Sequence, residues 1–426
     1  MGKLIQIFEH EKLTIHPDRW EQQLTANQLA RLYDFNDRNG NIYFTGIRDG
    51  VKFNSFVGVI QIGGLTIEIL PKTDKNTEQN KAEWQASTTS WRNVLLSMLA
   101  SCNKIKLDAV SEANLHRRYN SILDLYFEIF LEEVTGLLKK GLIKNYKGNH
   151  ANISTLKGRL DFGQNISKNL VHKDRFFTHH QIYTYDHLIN QVLARALTIL
   201  KQITNNLNVK EKLARVWLDF PEISDCVIQK HHFDKHQENR KTQSYTEALK
   251  IARMIILNYS PDIKSGSDNM LALLFDMNKL WEEYVFRQMF KYKPHDCRII
   301  FQNSKVFWKT LSKEKTIRPD IVIEKAVNGQ QQHFIIDAKW KIIDYLNPGD
   351  EDLKQMYAYN MYWNAGRCML IYPKTENYTE SWGEFPVGRT SENLCKLGFI
   401  DVFNTESKGL NRKIGEEIFQ KLFDGQ

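Results

Sequence analysis

The chain has 426 residues, 42% of them hydrophobic and 25% charged, with a formal net charge of +8 and a pI near 9.0. That length supports two or three domains with a sizeable core, and the composition is that of a globular protein rather than a disordered or fibrous one. The basic balance favours a polyanionic partner, no apolar run approaches a membrane span, and the five cysteines have no C-x-x-C spacing that would suggest a zinc ribbon or a disulfide framework.

The first residues, Met1-Gly2-Lys3-Leu4-Ile5-Gln6, hold no apolar core long enough for a signal peptide, so the cytoplasm is the expected compartment. Lys3 to Lys72 is predicted to be β-rich, with a strand at Asn41–Ile47 and a short helix at Leu24–Tyr33. Phe56–Ile62, Gly63-Gly64 and Leu65–Leu70 predict a hairpin around a Gly-Gly turn. The second arm alternates apolar and polar residues, which predicts one wet face.

Thr73 to Ser90 is polar and almost free of aliphatics, hence a loop, and a helix is predicted from Trp91. Arg117 to Lys140 predicts a long helix, with Lys139 and Lys140 in its last turn and Gly141 beyond. From Ala151 to Ser260 the pattern is mostly helical. Asp186 is a candidate cap for a helix through Leu188, Val192, Leu193, Leu197 and Leu200, and Ser244-x-x-Glu247 is a candidate capping box. His232 and His236 have the spacing of one helical face, but nothing completes a metal site around them and a solvated stretch is expected. Residues 260–269 have the composition of a linker.

Beyond the linker, Met270–Phe290 predicts an amphipathic helix, and the chemistry concentrates between Arg318 and Lys341. Two strand-length apolar runs flank Ala326-Val327-Asn328-Gly329-Gln330, a strong hairpin signal. Asp320 opens the first run, while Asp337 and Lys339 near the end of the second share a face because strand side chains repeat every two residues. Two carboxylates that close repel by roughly 4 kcal/mol at an effective dielectric of about 20. A hard divalent cation is the usual compensation.

A D-x-K string alone arises by chance about once in a chain this long. Pro261-Asp262-Ile263-Lys264 is such a decoy, sitting among turn residues with no strand around it. The Asp320, Asp337, Lys339 set has supporting context instead. A helix carrying Glu282 precedes it, and a helix with Gln355 and Tyr359 at i and i+4 follows it. Strands at Arg367–Pro373 and Lys396–Phe403 and a closing helix at Asn411–Phe423 come after. Between Lys291 and Arg318, Lys293, Arg298, Lys305, Lys309, Lys313 and Lys315 interleave with Phe301, Phe307 and Trp308 against only Asp296 and Glu314, a pattern suited to tracking phosphates.

In order and residue types this region resembles the PD-(D/E)xK nucleases of the RecB-like variety. That resemblance implies an αβββαβ domain with Glu282, Asp320 and Asp337 as metal-binding and catalytic acids, Glu282 being preferred to Glu283 because it follows Trp281. It implies Lys339 as the catalytic lysine and Gln355, Tyr359, Lys341 and Arg318 as DNA-binding or site-orienting groups. The implied cofactor is Mg²⁺, or Mn²⁺ in its place. Further motifs, Val57–Lys72, Leu156–Phe162, Asp186-x-x-x-Asn190-x-x-Leu193 and Met277–Val285, resemble the McrC family of modification-dependent restriction systems.

The family resemblance implies a DNA-cleaving subunit that acts on modified double-stranded DNA. It also implies that the subunit docks on a McrB-like hexameric AAA+ GTPase and stimulates its GTP hydrolysis. No G-x-x-x-x-G-K-[ST] string is present, so GTP enters only through that partner. Two rival readings are a self-sufficient restriction endonuclease whose N-terminal region reads DNA, and a non-catalytic activator of the GTPase. The expected architecture is multidomain α/β in the α+β sense. Residues 1–150 form a β-rich, partner-docking region with added helices, with the Phe56–Leu70 hairpin as a candidate tip of that contact. Residues 151–264 form a helical middle domain with its linker, and 265–426 form the nuclease domain.

Overall fold

The computed structural model describes residues 3–18, 20–73, 78–105, 121–234, 240–261, 269–327, 329–343, 347–375, 380, 382–386, 393–404 and 409–423. The backbone divides into two units that are each discontinuous in sequence. The first comprises Met1–Lys3, Ile60–Thr66 and Asn120–Leu273; the second comprises Leu4–Val59, Ile67–Tyr119 and Leu274–Gln426. The N-terminal segment and the expected nuclease region therefore share a unit, which divisions at 150 and 264 do not suggest.

The N-terminal segment is β-rich, as its composition predicts: β1 (Lys3–Phe8), β2 (Lys12–Thr14), β3 (Phe44–Ile47), β4 (Gly50–Phe53), β5 (Phe56–Ile62) and β6 (Leu65–Leu70). Helix α1 (Ala26–Arg38) starts at a capping box in which Thr25 and Gln28 satisfy each other's backbone N–H groups. Strands β5 and β6 meet at Gly63, whose φ of 52° is open to glycine at little cost. Their side chains are almost all buried, so this hairpin is core rather than an exposed tip.

The wet face predicted for β6 is absent. Glu68 is fully buried, where it accepts from Arg92 Nε at 3.1 Å and from Gln6 Nε2 at 2.9 Å. Arg92 lies on α2 (Lys81–Ser101), which begins within the stretch predicted to be a loop because Asn80 caps it through Glu83 N–H. The polar first turns of α2 hid its start; apart from Trp84 and alanines, its apolar residues begin at Trp91.

Helix α3 (Ile122–Lys140) is capped by Ser121 and ends at Gly141 with φ 86°; residues 117–120 of the predicted helix lie outside the described set. The next stretch is less helical than predicted. β7 (Asn145–Ile153), β8 (Arg159–Leu160) and β9 (Phe176–Thr184) form a sheet in the order β7-β9-β8, with α4 (Phe162–Asn169) between β8 and β9. Much of β7 is solvated, so it lacks the apolar alternation that would announce a strand.

The helices α5 (Leu188–Ile203), α6 (Leu207–Asp219), α7 (Lys230–Asp234) and α8 (Thr246–Leu257) follow, α3 packing on α6 and α8, and α5 on α8. His187, not Asp186, stands at the cap of α5. Asp186 instead accepts from Lys147, Gln191 and Ser224. The Ser244 capping box does not form, because a 3₁₀ turn at Gln243–Tyr245 leads directly into α8. His232 Nδ1 accepts Gln229 N–H at 2.9 Å, and His236 lies outside the described residues, as do residues 262–264 of the decoy string.

Strands β10 (Tyr259–Ser260) and β11 (Met270–Asp276) complete a five-stranded sheet in the order β1-β6-β5-β11-β10. The predicted helix at Met270 therefore starts one element later, as α9 (Met277–Lys291), where Asp276 accepts from Asn278 and Lys279 N–H. Met270 to Phe275 is a short apolar run whose period does not separate strand from helix; the Asp276 cap marks the change.

The C-terminal part contains β12 (Cys297–Phe301), β13 (Lys305–Lys309), β14 (Glu314–Ile317), β15 (Ile321–Val327) and β16 (Gln330–Ala338). These are followed by α10 (Asp350–Trp363), β17 (Arg367–Pro373), β18 (Trp382–Glu384), β19 (Leu394–Ile400) and α11 (Ile414–Phe423). Six strands form a mixed sheet in the order β12-β15-β16-β17-β19-β18, antiparallel across β12, β15 and β16 and parallel from β16 through β17 to β19. Val322, Ile335 and Leu370 face α10 through Met356, Tyr359 and Trp363. On the other face Phe334 meets Phe423 of α11 edge to face, and α9 packs on α11. Among the described residues no helix is long and apolar enough to cross a membrane.

The Glu68–Arg92 pair makes a test of this core. Arg92→Met strands a fully buried carboxylate and is expected to destabilise the fold by about 3 kcal/mol, whereas pairing it with Glu68→Leu should recover most of that loss. Denaturant melts of the three proteins decide it; a single mutant as stable as the double would show that Glu68 finds compensation elsewhere.

Candidate active site on the β15–β16 hairpin

The central hairpin forms, with a tighter turn than the Ala326–Gln330 stretch predicts. β15 pairs with β16 from Val327↔Gln330 to Ile321↔Ile336, and Gly329 turns the chain at φ 79°. One further step along that register sets Asp320 opposite Asp337. Directly opposite residues of an antiparallel pair share a face. Ala338 N–H donates to Asp320 Oδ2 at 2.8 Å, which holds the first carboxylate against the second strand. Lys339 N–H donates to Ile371 O of β17 at 2.8 Å, so the Asp-Ala-Lys segment is pinned on both sides.

Both acids are buried, Asp337 to 1% exposure and Asp320 to 8%. Burial, then the charges of Asp337 and Glu282, push the Asp320 carboxyl up to about 8. Burial raises Asp337 as well, opposed chiefly by Lys339. Lys339 Nζ stands 2.5 Å from Asp337 Oδ2, an ion pair rather than an aligned hydrogen bond. Burial is the largest single influence on the Lys339 ammonium and lowers it, but the charge and hydrogen bond of Asp337 together with the charges of Asp320 and Asp352 outweigh it and hold the group above its ordinary range.

Helix α9 separates the two candidate acids of the Glu-Glu step. Glu282 is raised by burial and then by Asp337, and also feels Lys339, Asp276 and Arg318, so it belongs to the electrostatic neighbourhood of the hairpin. Glu283 is turned away to Lys104 at 2.9 Å and Arg287 at 2.8 Å. Burial pushes Glu283 up, but those two cations outweigh it and hold the carboxyl below its usual range. Neighbouring helix positions differ by about 100° in direction, enough for the two acids to face different surroundings.

Helix α10 supplies the support. Lys339 Nζ donates to Gln355 Oε1 at 3.0 Å, Gln355 Nε2 donates to Tyr359 Oη at 2.6 Å, and Tyr359 Oη donates to Arg318 O at 2.9 Å. This chain runs from the Asp337 ion pair to the residue two before Asp320. Tyr359 is 2% exposed, and its hydroxyl is spent within this chain of hydrogen bonds. Lys341 is ion-paired with Asp352, whereas Arg318 is exposed.

Two participants escaped the sequence. Asp352 accepts from Tyr372 Oη at 3.2 Å as well as pairing with Lys341, and its charge acts on Asp337 and Lys339. Glu9, buried near the opposite end of the chain, accepts Trp340 Nε1 at 2.7 Å, and burial pushes its carboxyl up to about 7. Trp340 lies edge-on to Trp91 and packs on Trp281, so the residue after Lys339 is clamped. Asp352 had one sequence signal, its place in the first turn of the Gln355 helix. Glu9 had none, because its partner is 331 residues away.

Among the described residues, no group of three His, Cys, Asp or Glu side chains converges as a ready cation cage. Asp320 and Asp337 remain a two-carboxylate donor set with Glu282 in electrostatic reach. That suits a hard cation such as Mg²⁺, which keeps several waters and binds through one or two carboxylates plus substrate phosphate.

Comparison with known proteins gives a family and a fold. Residues 51–373 match the family model described as McrBC 5-methylcytosine restriction system component. The chain is 22% identical over 314 residues to the type IV methyl-directed restriction enzyme EcoKMcrBC of Escherichia coli K12, covering 68% of this chain and 88% of that protein. It superposes at a TM-score of 0.71 and 16% identity, over 99% of each chain, on a chain of a Thermococcus gammatolerans assembly of McrB AAA+ hexamers with bound McrC. A chain of the Thermococcus gammatolerans McrBC complex superposes at 0.50 and 16% identity, over 68% of this chain and 88% of that one.

The Asp320 carboxyl predicts a pH dependence in cation-free buffer. Unfolded, an aspartate titrates near 4, as against about 8 here. Between those values the folded state holds the extra proton, so stability is full below the lower value and falls as pH rises through the upper one. Each pH unit inside that window costs up to about 1.4 kcal/mol. Thermal melts in EDTA should therefore drop from pH 5 to pH 8, and Asp320→Asn should flatten the drop and melt higher at pH 8. A wild-type melting temperature that does not change across this window would mean that the carboxyl loses its proton in the ordinary range.

Proposed function

The chain belongs to the McrBC 5-methylcytosine restriction system component family, and from that premise we propose that it is the McrC-like, DNA-cleaving subunit of a GTP-dependent restriction complex. The observation that carries this reading is the buried, electrostatically coupled Asp320–Asp337 pair with Lys339 held beside it. The absence of a phosphate-binding G-x-x-x-x-G-K-[ST] string supports the nuclease assignment over the GTPase one. The αβββαβ order around the six-stranded sheet supports a PD-(D/E)xK domain.

In this reading Asp320 and Asp337 hold Mg²⁺, with Glu282 contributing directly or through water. When bound, the cation supplies Lewis acidity toward a phosphate oxygen and toward water. The remaining work falls to the chain itself. Lys339 carries its positive charge at the place where charge develops on phosphorus and orients the attacking water. Gln355 fixes the ammonium, and Tyr359 fixes Gln355 against the Arg318 carbonyl, so the lysine cannot swing into solvent. Asp352 holds Lys341, and exposed Arg318 is free to meet the DNA backbone. Modified double-stranded DNA is the substrate class, and a McrB-like AAA+ hexamer is the partner whose GTPase this subunit stimulates. The β-rich N-terminal region is proposed to dock on that partner.

Mg²⁺-dependent cleavage of methylated plasmid is expected only when the chain is combined with the GTPase partner and GTP. Specific cutting by the chain alone would favour a self-sufficient endonuclease. Asp337→Ala should abolish cleavage while leaving GTPase stimulation intact, and unchanged cleavage would overturn the site. Gln355→Ala, which removes the support of Lys339 and its link to Tyr359, should slow cleavage by about 10- to 100-fold.

A further inference from the structure

The basic stripe between Lys291 and Arg318 is not one surface. Lys293 lies over the Phe290 ring, Arg298 pairs with Glu324, and Phe301 stacks on Phe286. What remains is the two-stranded β13–β14 ribbon, which among the described residues pairs with no other strand. It carries four lysines, Lys305, Lys309, Lys313 and Lys315, against the single acid Glu314, which is tied to Lys309. Its apolar side chains face water: Phe307 is 48% exposed, Trp308 49%, and Leu311 at the turn fully so.

The ribbon is nevertheless ordered and anchored to the proposed catalytic apparatus. Thr310 and Lys313 close its turn through reciprocal hydrogen bonds. At its base Lys305 Nζ donates to Tyr362 O at 2.9 Å and Tyr362 Oη donates to Phe307 O at 3.1 Å, at the end of the helix that bears Gln355 and Tyr359. A bulge between Val306 and Trp308 leaves Phe307 without a cross-strand partner, the kind of irregularity that re-aims side chains. From Ile317 only Arg318 and Pro319 separate β14 from Asp320.

We infer that the β13–β14 ribbon enters a groove of double-stranded DNA beside the scissile phosphate, with Lys313 and Lys315 on backbone phosphates and Phe307, Trp308 and Leu311 against the bases. This rests on the nuclease reading of the Asp320–Asp337 site. Five residues of extended chain join Lys315 to Asp320, at most about 17 Å, or about five base pairs of duplex. A two-stranded ribbon is of the size that a major groove admits. Lysines on both sides of an apolar turn, nearly free of opposing acid, match a polyanion better than a protein face. Phosphate contacts would position the duplex, and the apolar residues would wedge its bases.

The test uses the full chain in EDTA, so that DNA is bound but not cut, with a fluorescent 24-base-pair duplex titrated across salt concentrations. Lys313→Gln with Lys315→Gln should reduce the steepness of the log Kd against log salt line by about 2. Trp308→Ala with Leu311→Ser should weaken binding about tenfold with the slope unchanged. Wild-type melting temperatures in both variants exclude unfolding as the cause. If wild type binds steeply with salt and both variants bind identically to it, the ribbon assignment is overturned while the nuclease reading stands. If the variants lose only self-association or assembly with the GTPase, the ribbon is a protein-docking element and the inference fails. A wild-type chain that binds no duplex even at low salt overturns the inference together with the reading beneath it.

Discussion

The site exists because two carboxylates are held side by side away from water. Neither Asp320 nor Asp337 would choose that position alone, since burial raises both. The backbone enforces it. The β15–β16 register fixes the facing positions, and the Ala338 amide ties down one oxygen. Lys339 offsets part of the repulsion from the same strand face, two residues along, as the pleat dictates. In the proposed chemistry a divalent cation would relieve the remainder of that repulsion.

Such an arrangement needs rigid surroundings, because small displacements would open the Lys339–Asp337 contact and leave the two carboxylates uncompensated. The structure supplies rigidity from three directions. Helix α10 holds the ammonium through Gln355 and Tyr359. The parallel strand β17 holds the Lys339 amide. Glu9, just after the first strand of the chain, holds Trp340 among buried aromatic rings. The segment before α2 is thus part of the site's foundation rather than only an accessory placed ahead of it. This gives physical content to the discontinuous second unit.

What the sequence made legible followed from local periodicity. The Arg318–Lys341 hairpin, the Asp-x-Lys face and the i, i+4 relation of Gln355 and Tyr359 are short-range facts. The strand and helix repeats determine them. The motif alone prefers Glu282 to Glu283, and no local pattern announces that Lys104 and Arg287 pair with Glu283. The misses share a different cause. The Glu68 face looked wet because alternation reports polarity and not pairing, and Arg92 arrives from another element. Met270–Phe275 is apolar throughout, which leaves strand and helix undistinguished until the Asp276 cap. Glu9 has a partner whose sequence separation no local pattern encodes.

The basic stripe shows the same limit from the other side. Seen as a string, Lys293 to Lys315 is one positive surface. In three dimensions most charges at its start are spent on an aromatic ring or a glutamate, and the unspent ones gather on a ribbon beside Asp320. Charge that a fold has already neutralised cannot recruit DNA; charge it has left standing beside exposed aromatics can. The distribution matters more than the net +8. A chain of the same composition with those lysines paired would keep its pI and lose the basis of the proposed DNA contact.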